Sequence, residues 1–262
     1  MHTQNRKLNS NSLWHYEGKE MRKSQFLALV ALFASINIIL DSLMGLPEFS
    51  SGVWSGWIFI VEPINGIVLG PYAGFLSSLI GVMIGHSICF RDMYEFLFTL
   101  GAPIGAMMAG FLFRGKWKIV LTYYTALLAF YFITPIAWQL PLWGMWDVYL
   151  AYATLLVVAV MTARKGSWNP KSKGLLYIIA LSALIGLEAD ILFRIFVFIP
   201  GQTYRLFYGL GAEALIPIWI EAAAITPIKV ALSILVTMTV GPPLIKIIRK
   251  IGILKEDSTF HG

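Results

Sequence analysis

Charge is what this chain has least of. Only 13% of its 262 residues are Asp, Glu, Lys or Arg, against 58% hydrophobic, where soluble domains carry roughly 25% charged residues. That shortage excludes an ordinary water-soluble fold. Several windows of about 20 apolar residues are each long enough to cross a hydrocarbon core of about 30 Å. Cysteine is nearly absent as well: Cys89 stands alone, so it closes no internal disulfide and offers no thiolate cluster to a metal. It reads as a small packing residue. A P-loop, an H-E-x-x-H zinc motif and a recognisable nucleophile spacing are all missing, so the chain reads as a non-enzyme with no cofactor and no metal site of its own. Repeats and low-complexity segments are lacking too, and one domain is expected: an all-α integral membrane protein of the cell membrane, multi-pass, with no nucleic-acid partner.

Apolar runs lie at about 24–44, 57–69, 72–89, 94–113, 119–138, 147–163, 174–199 and 221–245, which suggests eight spans. The second is short. Its 13 residues, from Trp57 to Leu69, reach only about 20 Å, so it is either a short helix or the first half of a kinked one ending at Gly85. Basic residues discriminate, because cytoplasmic loops concentrate Lys and Arg. With eight spans, four clusters fall on one side: Arg6, Lys7, Lys19, Arg22 and Lys23; Arg114, Lys116 and Lys118; Arg164, Lys165, Lys171 and Lys173; Lys246, Arg249, Lys250 and Lys255. These hold 16 of the 20 basic residues. With seven spans the amino-terminal cluster would lie opposite the others, so Gly70-Pro71 is expected to be a turn and both termini cytoplasmic. Residues 1–23 then form a retained cytoplasmic tail, lacking a small-residue cleavage pattern, residues 24–250 the transmembrane domain, and residues 251–262 a second tail. The spans and outer loops keep ten of the 14 acids but four of the 20 bases. Six of nine tryptophans, Trp54, Trp57, Trp138, Trp143, Trp146 and Trp219, gather at the outer end, as an aromatic belt would.

In lipid, helices associate closely where small residues let backbones approach. "EPINGIVLGPYAG" spaces Gly66, Gly70 and Gly74 four apart; Ser77, Gly81 and Gly85 continue one residue out of phase, and Gly101, Gly105 and Ala109 repeat the spacing. Tight packing of the second to fourth spans follows. Ionisable groups at membrane depth cost about 2.5–3.5 kcal/mol each and mark sites or wet cavities. Asp190 and Arg194, four apart, are able to pair on one helix face; Glu188 lies off that face and is a ligand candidate. Glu62 is either a helix-start acid favoured by the dipole or a pocket group one turn from Asn65. His86 closes the glycine series as a structural residue or a ligand. Glu221 and Lys229 share the last span, where the lysine neutralises a buried acid or binds a substrate carboxylate. Asp92, Glu95, Asp147 and Glu213 read as solvated loop or end residues.

The run "GIVLGPYAGFLSSLIGVMIGH", with "ALVALFASINIIL" before it, "EFLFTLGAPIGAMMAGFLFRGK" after it and "AAAITPIKVALSILVTMTVGPPLIKIIRK" near the end, resembles the S components, the substrate-binding membrane subunits of energy-coupling factor (ECF) vitamin transporters. The likeness covers residues 24–116 and 221–250, about half the chain. It implies a six-helix core with two extra spans between 117 and 199, a transmembrane coupling subunit and two ABC ATPases as partners, and ATP hydrolysis in those partners. It also implies an outer pocket holding Glu62 and Asn65, with Trp54 and Trp57 in a loop folded over the ligand. The small-residue docking pair, commonly Ala-x-x-x-Ala, is here Ala31 and Ser35. Met1-His2 echoes the metal-binding start of nickel and cobalt S components, but it heads a basic tail on the cytoplasmic side, so a metal substrate is rejected. The acidic, Trp-rich mouth suits a flat, cationic ring such as thiamine. Two rivals remain: a membrane enzyme acting on a lipid-linked substrate through Glu62, Glu188 and Asp190, and a non-catalytic structural subunit whose polar residues pair among themselves and leave no pocket.

Overall fold

The computed structural model describes residues 23–43, 56–90, 92–165 and 174–250; Trp54 and both tails lie outside them. Among the described residues there is no strand. The helices are α1 Lys23–Ser42, α2 Glu62–Leu69, α3 Pro71–Ile88, α4 Glu95–Phe98, α5 Gly101–Phe113, α6 Trp117–Ile133, α7 Trp146–Lys165, α8 Leu175–Phe198, α9 Thr203–Leu206 and α10 Ala212–Lys250. Six stretches are long and apolar enough to cross a membrane: Ser24–Ser42, Pro71–Ile88, Glu95–Phe113, Leu142–Arg164, Leu175–Phe198 and Ala212–Ile248. The eight residues of α2 rise only about 12 Å, and the 17 of α6 about 25 Å, short of a hydrocarbon core of about 30 Å.

Helices α5 and α8 form the centre. Both spans are 67% buried, against 28% for α1, and α5 packs on α8, α2 and α3. Glycine makes these approaches possible. A methyl group at Gly66 would overlap the Ala106 carbonyl and come 2.9 Å from the Gly110 nitrogen, and one at Gly110 would meet the Pro71 Cα at 2.9 Å. Backbone lies against backbone there. One at Gly186 would meet the Ala109 Cβ at 2.6 Å, which brings α8 equally close to α5. On the other flank Gly81 and Gly85 of α3 leave room for Asn37 and Asp41 of α1.

The break between α2 and α3 is a reversal, not a kink. Gly70 has φ 100° and ψ 165°, a conformation that side chains with a Cβ resist. Eight residues of continuous helix would separate Gly66 from Gly74 by about 12 Å, yet a Cβ at Gly74 would sit 2.8 Å from the Gly66 Cα. The chain therefore folds back on itself. Arg114, just past α5, braces the turn by donating from Nη1 to the carbonyls of Gly66 at 3.2 Å and Gly110 at 3.4 Å, each of which also accepts a backbone N–H, from Gly70 and Arg114.

Several element boundaries differ from the sequence expectation: α2 begins at Glu62, not 57, and the run 94–113 divides into α4 and α5. Helix α6 stops at Ile133, not near 138, because Thr134 precedes Pro135 and takes an extended backbone (ψ 121°), as the proline ring demands of its predecessor. Helix α10 starts at Ala212, not 221, and runs through Pro217, Pro227, Pro242 and Pro243. Pro227 lacks the N–H that would bond the Ala223 carbonyl. Trp146 Nε1 donates to that carbonyl instead, at 3.0 Å, so the helix continues.

Candidate functional site

Two helix faces and three connecting segments line a large cavity. Ile191, Ile195 and Phe198 follow an i, i+4, i+7 stripe on α8; Ile218, Ala222, Thr226 and Lys229 do the same on α10. The segment around Asp92, Glu95 and Phe98, the turn Gly144–Asp147 and the segment with Tyr208 and Leu210 line the remaining sides. Its volume is about 630 Å³, within the roughly 300–1,000 Å³ of small-molecule sites. It lies at the amino-terminal ends of α5, α7 and α10 and the carboxy-terminal end of α8, so the basic residues Arg114, Lys116, Lys118, Arg164 and Lys246 are at the opposite end of the bundle.

Four acids and two bases line this cavity: Asp92, Glu95, Asp147 and Glu221 with Arg194 and Lys229. The two bases also line a second, smaller cavity of about 20 Å³, shared with Asp41, Thr99 and Asp190. That is room for about one water molecule. Arg194 and Lys229 thus stand between the large cavity and the helix core.

Arg194 donates from Nε to Asp190 Oδ1 at 2.6 Å and from Nη2 to Oδ2 at 3.2 Å, a fork that fits a carboxylate's two oxygens. Glycines make room for these acids. A Cβ at Gly101 would overlap Asp190 Oδ1, and one at Gly105 would overlap Glu62 Oε1. The α5 glycines therefore seat carboxylates as well as helices. Glu62 opens α2 rather than lying a turn inside it and makes no capping hydrogen bond; its carboxylate is fully buried, without a normal hydrogen bond, with Asp190, Arg194 and Lys229 as charged neighbours. Lys229 Nζ also sits 5.2 Å from the centre of the Phe59 ring, within cation–π reach.

Other sequence candidates are dispersed. Glu188 is fully buried, has no hydrogen-bond partner for either oxygen and lines neither cavity. Asn65 turns toward α1, where Nδ2 donates to Asn37 Oδ1 at 2.9 Å; Asn37 in turn donates to Ser77 Oγ at 3.4 Å. His86 is buried, donates from Nε2 to the Asp92 carbonyl at 3.0 Å and meets Phe96 edge-on at 4.2 Å. Trp57 stacks on Phe59 at 5.9 Å. None of these lines the larger cavity; Arg194 and Glu221 do.

Asp147 differs from its reading as a solvated end residue. It is 5% exposed, accepts from the Val148 amide at 2.9 Å and receives a short hydrogen bond from Thr226, tying α7 to α10. Asp92 and Glu95, also read as solvated, line the mouth beside Tyr208. Burial first, then Asp92, raise the Tyr208 phenol above its ordinary range, so it stays a hydrogen-bond donor. Asn37 and Asp41 are not among the residues expected from sequence, although an acid inside "NIILD" carries the same membrane-depth signal as Glu188.

Comparison with family models, curated proteins and solved structures gives no match for this chain. Fold and site define a class all the same: an all-helical, membrane-embedded protein with a large charged cavity at the end away from its basic loops.

Proposed function

We propose that this chain is the substrate-binding subunit of an ECF-type importer for a small water-soluble vitamin or vitamin precursor, embedded in the cell membrane. One observation carries the reading: a cavity of about 630 Å³, lined by charges of both signs and by aromatic walls, at the end of the bundle opposite the basic clusters. By the positive-inside tendency that end faces out. Eight crossings, counting α2 and α6, put both termini in the cytoplasm. The structural-subunit rival requires polar residues that pair off and leave no pocket, so a cavity of this size favours binding.

The partners are a transmembrane coupling subunit and two ABC ATPases. Ala31 and Ser35 are both exposed on α1, and Ser35 Oγ donates back to the Ala31 carbonyl at 2.9 Å. The hydroxyl is thereby spent within the helix, and a smooth surface suited to close helix docking remains.

A panel of water-soluble vitamins tests the reading by thermal shift on the detergent-solubilised chain. A ligand at 100 times its Kd stabilises by about 2.7 kcal/mol, which at roughly 2–4 °C per kcal/mol is a rise of about 5–10 °C. A flat response to every member counts against a binding subunit. Orientation has its own test. In a Cys89→Ser background, Glu221→Cys should react with a membrane-impermeant maleimide applied to intact cells; reaction only after the membrane is opened would reverse the topology.

A further inference from the structure

Apart from Asp147, which Thr226 and the Val148 amide already engage, the cavity separates its charges along its depth. Arg194 and Lys229 mark the inner end, since both also line the small cavity next to Asp190 and Asp41. Acids mark the mouth: Asp92 and Glu95 come from the segment before α5, and Glu221 lies eight residues nearer the start of α10 than Lys229, about 12 Å along the axis. Apolar and aromatic side chains, among them Ile195, Phe198, Ile218 and Trp219, line the wall between.

Each end keeps an open group. Arg194 uses Nε and Nη2 on Asp190, and its Nη1 makes no hydrogen bond among the described residues, while its side chain remains 29% exposed. Glu221 forms no ion pair or hydrogen bond among the described residues and is half-buried at the cavity wall. A donor fork on a fixed guanidinium matches a carboxylate or phosphate, and a half-buried carboxylate matches an amine or a cationic ring. A ligand with only one of these groups would leave the other end of the cavity without a partner, at a desolvation cost.

We propose that the occupant is a bipolar molecule: an acidic group meets Arg194 and Lys229 at the inner end, a basic group meets Glu221 and the neighbouring acids at the mouth, and an apolar or aromatic body lies along Trp219 and Ile195. This rests on the cavity being a ligand site and narrows the substrate class, because a purely cationic ring of the thiamine kind lacks the inner group.

The test compares ε-aminocaproate with caproate and hexylamine, its single-ended counterparts, at equal concentrations on the full chain in detergent, by thermal shift and direct binding. The bipolar probe should bind at least tenfold more tightly than either. Lys229→Met and Glu221→Gln should each cut its binding about tenfold, with Lys229→Arg restoring most of the loss. Hexylamine binding as well as ε-aminocaproate, or a vitamin ligand that has no acidic group, overturns the bipolar assignment while leaving a binding subunit in place. No shift with any vitamin or with these probes removes the binding reading itself. If Lys229→Met fails to fold, the three-probe order on the unaltered chain and the Glu221→Gln result decide the matter.

Discussion

Gly66→Ala is expected to destabilise the protein by about 3 kcal/mol, at the upper end for added core volume, and Gly66→Leu to abolish a monodisperse folded species. The cause is the nature of the neighbours. The new Cβ would overlap the Ala106 carbonyl and crowd the Gly110 nitrogen, and backbone atoms in the middle of α5 have no rotamer by which to retreat. Relief would require α2 to separate from α5, which would also shift Glu62 from its seat over Gly105 and loosen the Arg114 brace. Gly211→Ala is the matched control: nothing lies within 4 Å of its Cβ position, so its melting curve should be unchanged. Size-exclusion profiles and thermal melts of the three variants measure the difference. Equal melts for Gly66→Ala and Gly211→Ala would refute close backbone packing of α2 on α5.

Arg194→Met should cost about 2 kcal/mol. Breaking a fully buried ion pair costs about 3–5 kcal/mol because a charge remains without its partner; Arg194 keeps 29% exposure to the cavity, so solvent softens the loss. Asp190, at 5% exposed and pressed against Gly101, has no comparable relief. Adding Asp190→Asn to Arg194→Met should therefore recover about half the loss by removing the stranded carboxylate. If the double variant is no more stable than Arg194→Met, the pair is not what holds this part of α8. Ligand binding separates the roles further: Asp190→Asn alone should weaken it less than Arg194→Met, since Arg194 faces the cavity.

Much of this architecture was legible because lipid simplifies the code. Span positions followed from apolar length, and the turn at Gly70 from glycine, proline and the side on which the basic clusters fall. Helix ends at prolines were misplaced in both directions. Pro135 stopped α6 early, whereas α10 begins at Ala212 and runs through Pro217, ahead of the expected start at 221; Pro227, inside the expected span, leaves the helix unbroken because Trp146, 81 residues earlier in the chain, supplies the missing donor. No local rule foretells such a partner. The site was only half legible for a related reason. Arg194 and Glu221 stood out as ionisable groups at membrane depth, and they do line the cavity. Asp147, Asp92 and Glu95 sit at element ends, where acids are ordinary, and only tertiary folding makes them walls. Conversely Asn65 and His86, polar and conspicuous in the sequence, are used between helices and in a turn.

The most direct test of the central claim, that the large cavity holds a small water-soluble molecule, is mass spectrometry of compounds released from the purified full-length chain, compared with Ala222→Trp. Ala222 lines the cavity on α10, and an indole there would project into the space between its two ends. The account predicts a discrete compound retained by the unaltered chain and lost from a folded Ala222→Trp variant. No retained compound, or equal retention by both proteins, would contradict it.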